Sequence, residues 1–198
     1  MADRDTREAL LDAVGTLLTS DSGLSGLTLR KVAAAAGVSH GAPGALFGDF
    51  AGMLTAYACR AFDRLRERMT TELATATSGP QALAATGRGY IAFAREEPDA
   101  FLLMFRKDLL RADDPALSRT RERCFSVLSE ALERAVAEGR VAPERVPLVR
   151  IAAWALVHGL AALRLTDAVP AAAGGGEVEL ARAVTDLFAS SVLPLPER

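Results

Sequence analysis

The chain has 198 residues, half of them hydrophobic, with 23 lysines and arginines nearly balancing 25 aspartates and glutamates. That length suits one or two compact domains with a sizeable core. No apolar run of membrane-spanning length is evident and the polar opening from Met1 to Glu8 is unlike a signal peptide, so a cytoplasmic protein with no membrane partner is expected.

Strand-type alternation is nearly absent, and the chain reads as all-α with about nine helices. The first spans Asp5 to Leu18, with Leu10, Leu11, Val14, Leu17 and Leu18 as its apolar stripe. Thr28 is a natural N-cap for a second, on which Leu29, Val32, Ala33 and Ala36 recur at helical spacing. Gly37 stands where a helix stops in a left-handed conformation. Ser39 offers a further cap, starting a third helix at His40. Asp49 caps a long helix from Phe50 to about Thr75, which Ser78-Gly79-Pro80 breaks. Pro80 opens the next helix, which carries Leu83, Tyr90, Ile91 and Phe93 and ends at Glu97 before Pro98. A short helix from Asp99 to about Leu110 follows. Asp113-Asp114-Pro115 starts another, ending at Glu138-Gly139, and the next runs from about Val146 to Thr166. Residues 171–176 form a flexible connection, and a final helix spans Glu177 to Ser191.

Helix, glycine turn and capped helix over residues 28–47 form a helix-turn-helix signature, whose second helix can enter the major groove of DNA. An ordinary helical corner would look the same in isolation. The flanks narrow the choice: Thr28, Arg30, Val32, Ala33, Ala36, Gly37, Val38 and Ser39, the run from Ser39 to Pro43, then Phe47, Asp49 and Leu54. This pattern resembles the N-terminal domain of the tetracycline-repressor-like (TetR-type) transcription regulators. The resemblance implies a three-helix DNA-binding head over residues 1–49. It also implies a six-helix ligand-binding and dimerisation body over residues 50–198. Thr28, Arg30, Lys31, Ser39, His40, Gly41, Ala42 and Pro43 are then the expected DNA-binding residues, with Arg30 and Lys31 on phosphate and His40, Ala42 and Pro43 at base edges. The expected partners are a palindromic operator in double-stranded DNA, a second copy of the chain as homodimer, and a small hydrophobic effector.

The departures are as specific as the matches. Gly44, Ala45 and Leu46 stand where the family usually carries tyrosine, a basic residue and histidine, and Phe50 stands where it commonly has a lysine. Two phosphate contacts, which supply affinity and fix register, thus have no chemical equivalent. Over residues 1–50 the bases Arg4, Arg7, Arg30 and Lys31 face the acids Asp3, Asp5, Glu8, Asp12, Asp21 and Asp49, so the head is not the basic footprint of a typical DNA reader. Helix N-termini at Thr28 and Ser39 offer phosphate their free N–H groups instead. Gly41, Pro43, Gly44 and Gly48 also make the third helix weak, dependent on Leu46 and Phe47 packing against the first.

Trp154 and His158 lie four apart and share one helix face, and Gly159 follows. The segment resembles a tryptophan–histidine–glycine subtype of the same family, in which His158 would be a polar contact in a ligand pocket; a core histidine bonded to a neighbouring helix is the alternative. The pocket candidates are Phe62, Tyr90, Phe93, Phe101, Met104, Phe105, Cys124, Leu128, Trp154 and His158, residue types that suit a hydrophobic effector and equally suit a core. Cys59 and Cys124 have no metal-ligand spacing and read as reduced thiols. His40 and His158 are the two histidines and no catalytic constellation surrounds them, so neither enzyme, cofactor nor metal is expected. Two functions fit: a ligand-responsive DNA-binding regulator that acts as a repressor, or a dimeric ligand- or protein-binding module whose head no longer binds DNA.

Overall fold

The structure, a computed structural model, describes residues 2–21, 23–169 and 176–194. Among these residues there are nine α-helices and no strand. They are α1 (Ala2–Leu18), α2 (Leu29–Ala35), α3 (Ala42–Phe47), α4 (Phe50–Leu73), α5 (Gly79–Glu96), α6 (Pro98–Met104), α7 (Pro115–Ala137), α8 (Val146–Leu165) and α9 (Glu177–Val192). The connection expected over 171–176 lies outside the described residues except for Gly176. The helices form two compact units, Met1–Phe62 with Asp99–Arg121, and Asp63–Pro98 with Glu122–Arg198. Compactness thus groups α6 and the start of α7 with the helix-turn-helix segment, whereas the expected division at residue 49 is one of function.

In the first unit, α1 buries Leu10, Leu11, Val14 and Leu18, against Val32 and Ala33 of α2, both fully buried, and Phe47 at the end of α3. Arg60 on α4 pairs with Glu8 and Asp12 of α1. Asp49 caps α4 as expected, its Oδ1 accepting the Gly52 N–H at 2.8 Å. Helix α6 is shorter than expected, ending at Met104 instead of near Leu110. The Phe105 and Arg106 N–H groups turn back to the Leu102 and Leu103 carbonyls, and the Arg106 guanidinium holds Asp108 at 2.6 and 2.8 Å. Residues two apart do not face each other on a helix, so that pair requires the chain to leave it.

In the second unit, α5 is the central element, with twelve buried positions from Gly79 to Ala94. Ser78 caps it, accepting the Gln81 N–H at 3.4 Å. A Cβ on Gly89 would fall 2.7 Å from the Met69 Cα of α4, and one on Gly87 would fall 2.9 Å from Thr185 of α9. Glycine there lets both neighbours touch the α5 backbone. The core continues through Leu83, Leu128, Leu132, Ala135, Val149, Ala153 and Leu193. Gly139, at φ 68°, ends α7 as expected, and the Arg140 N–H reaches back to the Ala135 carbonyl at 2.9 Å.

Helix α8 corrects one expectation. The stretch Pro143–Leu165 is long and apolar enough, by length and composition, to cross a membrane. Arg150 and Arg164 interrupt it as an unbroken run, but the thirteen residues between them carry no Asp, Glu, Lys or Arg. Of its most apolar eighteen residues 22% are buried. Val149, Ala153, Val157 and Ala161 form the inward stripe, while Leu148 and Ile151 are 69% and 61% exposed. Among the described residues, most of this apolar surface has no cover.

Two alanine substitutions separate packing from backbone freedom. Gly89→Ala should destabilise the fold by about 1–3 kcal/mol through overpacking against α4. Gly44→Ala, where a Cβ meets nothing within 4 Å, should stabilise it by about 0.5–1 kcal/mol. Denaturant midpoints measured on both variants check the opposite signs.

Candidate functional site

The helix-turn-helix is built as its residues dictate. Thr28 is extended and its Oγ1 accepts the Lys31 N–H at 3.2 Å. Gly37 takes φ 67°, and the Val38 N–H closes the turn on the Ala33 carbonyl at 3.0 Å. The start of α3 differs from expectation: it begins at Ala42 behind Gly41, and Ser39 contributes only its carbonyl, which accepts the Ala42 N–H at 3.0 Å. Pro43 explains the delay, since a start at Ala42 puts it second in the helix, where its missing N–H and fixed φ cost nothing.

Thr28, Arg30, Lys31, Ser39, His40 and Gly41 are exposed and Ala42 is half-buried. Pro43 is buried, so the fold takes inward one of the three side chains expected at base edges. From Ala42 to Phe47 α3 carries no side chain able to hydrogen-bond. Arg7 is committed within the unit, its guanidinium lying 4.5 Å over the Phe47 ring and donating to the Leu46 carbonyl at 3.4 Å.

The candidate ligand residues fall into two groups, one in each unit. In the first, Phe105 meets Phe62 and Phe101 edge-on, with centroids 5.9 and 5.3 Å apart, and Met104 is fully buried. In the second, Tyr90, Trp154 and His158 come together. The Tyr90 hydroxyl is 2.8 Å from His158 Nδ1, Trp154 lies 5.8 Å from the His158 ring, and Phe125 stands edge-on to Trp154 at 5.3 Å. Which of the two groups donates is set by the imidazole tautomer. Desolvation favours the neutral imidazole.

Burial raises the Tyr90 hydroxyl well above the usual phenol range, pushes the Cys124 thiol up to about 12, and lowers His158. Phe93, Cys124 and Leu128 are buried. Their burial fits the packing of a core as well as it fits a pocket wall. Residue spacing holds no sign of a cleft of about 660 Å³ in the second unit, which none of the ten candidates lines. Its walls are arginines Arg68, Arg88, Arg95, Arg164 and Arg182 with Glu72, Glu177 and Asp186, drawn from four helices. They are tied by pairs such as Arg88–Asp186 at 3.1 Å and Arg164–Glu177 at 2.5 Å. Among the described residues no three His, Cys, Asp or Glu side chains gather as a metal site.

An N-terminal helix-turn-helix followed by a wholly helical body defines a small helix-turn-helix regulator. The family model of the tetracycline-repressor-like C-terminal domain matches residues 83–187, more than half of the chain, and the chain belongs to that family. No curated protein matches it. Among solved structures it is similar to a protein of unknown function from a Rhodococcus species, 25% identical over 95% of each chain with a TM-score of 0.82. The TetR-family regulator PfmR from Thermus thermophilus is 21% identical over 96% of each chain, with a TM-score of 0.67. The regulator FadR from Bacillus subtilis, solved with stearoyl-CoA, is 16% identical over 92% of this chain and 97% of that one, with a TM-score of 0.70. The last two share the fold.

The His158 environment has a pH consequence. Its pKa lies below the ordinary 6.5, so the unfolded chain binds this proton more readily than the folded one. The stability it contributes is complete above that ordinary value and is lost as pH falls from there towards the depressed folded value. Thermal midpoints between about pH 8 and pH 5.5 should therefore drop at the acid end in the parent, and less in His158→Asn. Parallel curves would assign the drop to other groups.

Proposed function

We propose that the chain is a homodimeric, ligand-responsive transcriptional repressor. Residues 1–49 read a palindromic operator in double-stranded DNA, and residues 50–198 dimerise and bind a small hydrophobic effector that releases the operator. The observation that carries this reading is the head: a Thr28-capped helix, a left-handed Gly37 turn and a short α3, with Arg30, Lys31, Ser39 and His40 exposed around them. Arg30 and Lys31 contact phosphate, and Ser39, His40, Gly41 and Ala42 approach the bases. Thr28 holds the Lys31 amide, and Pro43 supports α3 from inside. Effector contacts are proposed for the Phe62–Phe101–Phe105 group with Met104, and for Tyr90, Trp154 and His158 with Phe93, Cys124 and Leu128. The Trp154–His158 contact supports the tryptophan–histidine–glycine subtype.

A second reading, a ligand- or protein-binding module that no longer binds DNA, is favoured by one observation: α3 has no hydrogen-bonding side chain. Gly44 and Phe50 in place of tyrosine and lysine point the same way. Selection from a library of randomised duplexes separates the two. Enrichment of a palindrome supports the repressor; Arg30→Ala should then weaken binding to all duplexes alike and reduce the salt slope by about one. Gly44→Tyr combined with Phe50→Lys should tighten binding. If neither the parent nor that double variant selects a duplex, the second reading stands.

Exposed apolar side chains support dimerisation through α8 and α9: Ile151, Leu163 and Leu187 are 61%, 48% and 69% exposed, and Trp154 and Ala155 also face outward. A two-fold axis would pair these faces into a four-helix interface. Light scattering at micromolar concentration should give twice the chain mass, and Ile151→Glu with Leu187→Glu should give a folded monomer. A monomeric parent would overturn the assignment.

A further inference from the structure

Arg111 lies in the connection between α6 and α7, yet its side chain reaches the junction of α3 and α4 and its N–H reaches the second turn of α4. Its Nη2 is 3.0 Å from Asp49 Oδ1, and its backbone N–H donates to Thr55 Oγ1 on α4 at 2.9 Å. Thr55 is 2% exposed, so this second bond is anchored in the core. A Cβ on Gly48 would stand 3.1 Å from Nη2, and one on Gly52 would stand 3.0 Å from Cζ. The same Cβ on Gly52 would fall 2.1 Å from the Phe47 carbonyl, so the end of α3 and the first turn of α4 touch backbone to backbone. Gly48 links them at φ 81°. The guanidinium therefore rests against the hinge of the recognition helix. The carboxylate it pairs with is also the cap of α4.

The segment that carries Arg111 grips α4 a second time. Phe105 lies edge-on to Phe62, and Leu110 is buried beside Arg111. Phe62 and Asp49 are separated along α4 by about 20 Å at the usual rise per residue. Residues 105–111, folded into tight turns, thus reach α4 at two places, through Phe105 at the aromatic group and through Arg111 at the recognition-helix hinge. The Arg111 and Asp49 side chains are 45% and 63% exposed, and a pair so exposed adds little to folding stability. Its value is geometric.

We infer that Arg111 is a positioning residue of the DNA-binding head: seated on Asp49 and the Gly48–Gly52 notch, it fixes how α3 leaves α4, and through Phe105 it ties that angle to the aromatic group around Phe62. The inference rests on the reading of the chain as a DNA-binding dimer, in which a fixed head angle becomes a fixed spacing between half-sites.

The test uses the full-length protein and the duplex it selects from a randomised library, with the half-site spacing then lengthened and shortened by one base pair. Arg111→Gln removes the charge, and Asp49→Asn removes it while keeping an N-cap acceptor. Each should lose about three- to fivefold in affinity for the preferred duplex, the scale of one exposed pair, and should accept the altered spacings better than the parent. The double variant should be no worse than either single one. Arg111→Lys should restore the parent's spacing preference, and Phe105→Ala should loosen it as Arg111→Gln does. Unchanged spacing preference in both Arg111→Gln and Asp49→Asn overturns the inference, as do additive losses that track melting temperature. Unchanged spacing in Phe105→Ala overturns the tie to the aromatic group. A parent that selects no duplex fails earlier, at the DNA-binding reading itself, and is seen before any variant is made.

Discussion

The close approach of α5 to its neighbours is the constraint on which the second unit depends. Gly87 and Gly89 remove the side chains that would hold α9 and α4 away, so both helices reach the α5 backbone. Once α5 is fixed this way, its helical period decides the rest. One face turns Tyr90 and Phe93 into the interior, where the phenol must find partners because a buried hydroxyl without them is costly. His158 supplies one. Another face presents Arg88 and Arg95 to the charged cleft. One backbone contact therefore places an apolar, hydrogen-bonded group and an ionic one on the same helix.

The head is organised differently. Its arginines are largely occupied within the fold: Arg7 on Phe47, Arg60 on Glu8 and Asp12, Arg111 on Asp49. What remains outward near the turn is Arg30, Lys31 and His40. Any DNA affinity then rests on few ionic contacts and on the fit of a smooth α3, so it should depend more on shape than on charge. A recognition helix without polar side chains discriminates bases through close backbone and methyl contact, which places the burden on how accurately α3 is held.

Local chemistry was legible in the sequence, and long-range pairing was not. Thr28, Asp49, Ser78, Asp114 and the left-handed Gly37 and Gly139 stand where cap and stop rules put them, because each acts on backbone within a few residues. The start of α3 and the end of α6 shifted where a competing local demand prevailed, as Pro43 did for α3 and the Arg106–Asp108 pair for α6. The aromatic and sulfur residues could be placed on helices, yet spacing cannot tell which of them share a group and which fill the core. The cleft and the Arg111 contact were invisible for a stronger reason: their members come from separate helices, and a salt-bridging arginine has no periodicity to betray its partner.

Trp154 is the one tryptophan of the chain, and it sits between Phe125 and the neutral imidazole of His158. The intrinsic fluorescence of the protein is therefore a single-site signal, free of averaging over several indoles. An imidazolium quenches a neighbouring indole far more than a neutral ring does, so emission intensity reads the protonation of His158. Because Trp154 is also partly exposed on the face of α8 proposed for the dimer, its emission wavelength should shift to the blue if that face is covered. The same unlabelled residue can thus follow the interior and the interface as two separate optical channels, intensity for one and wavelength for the other.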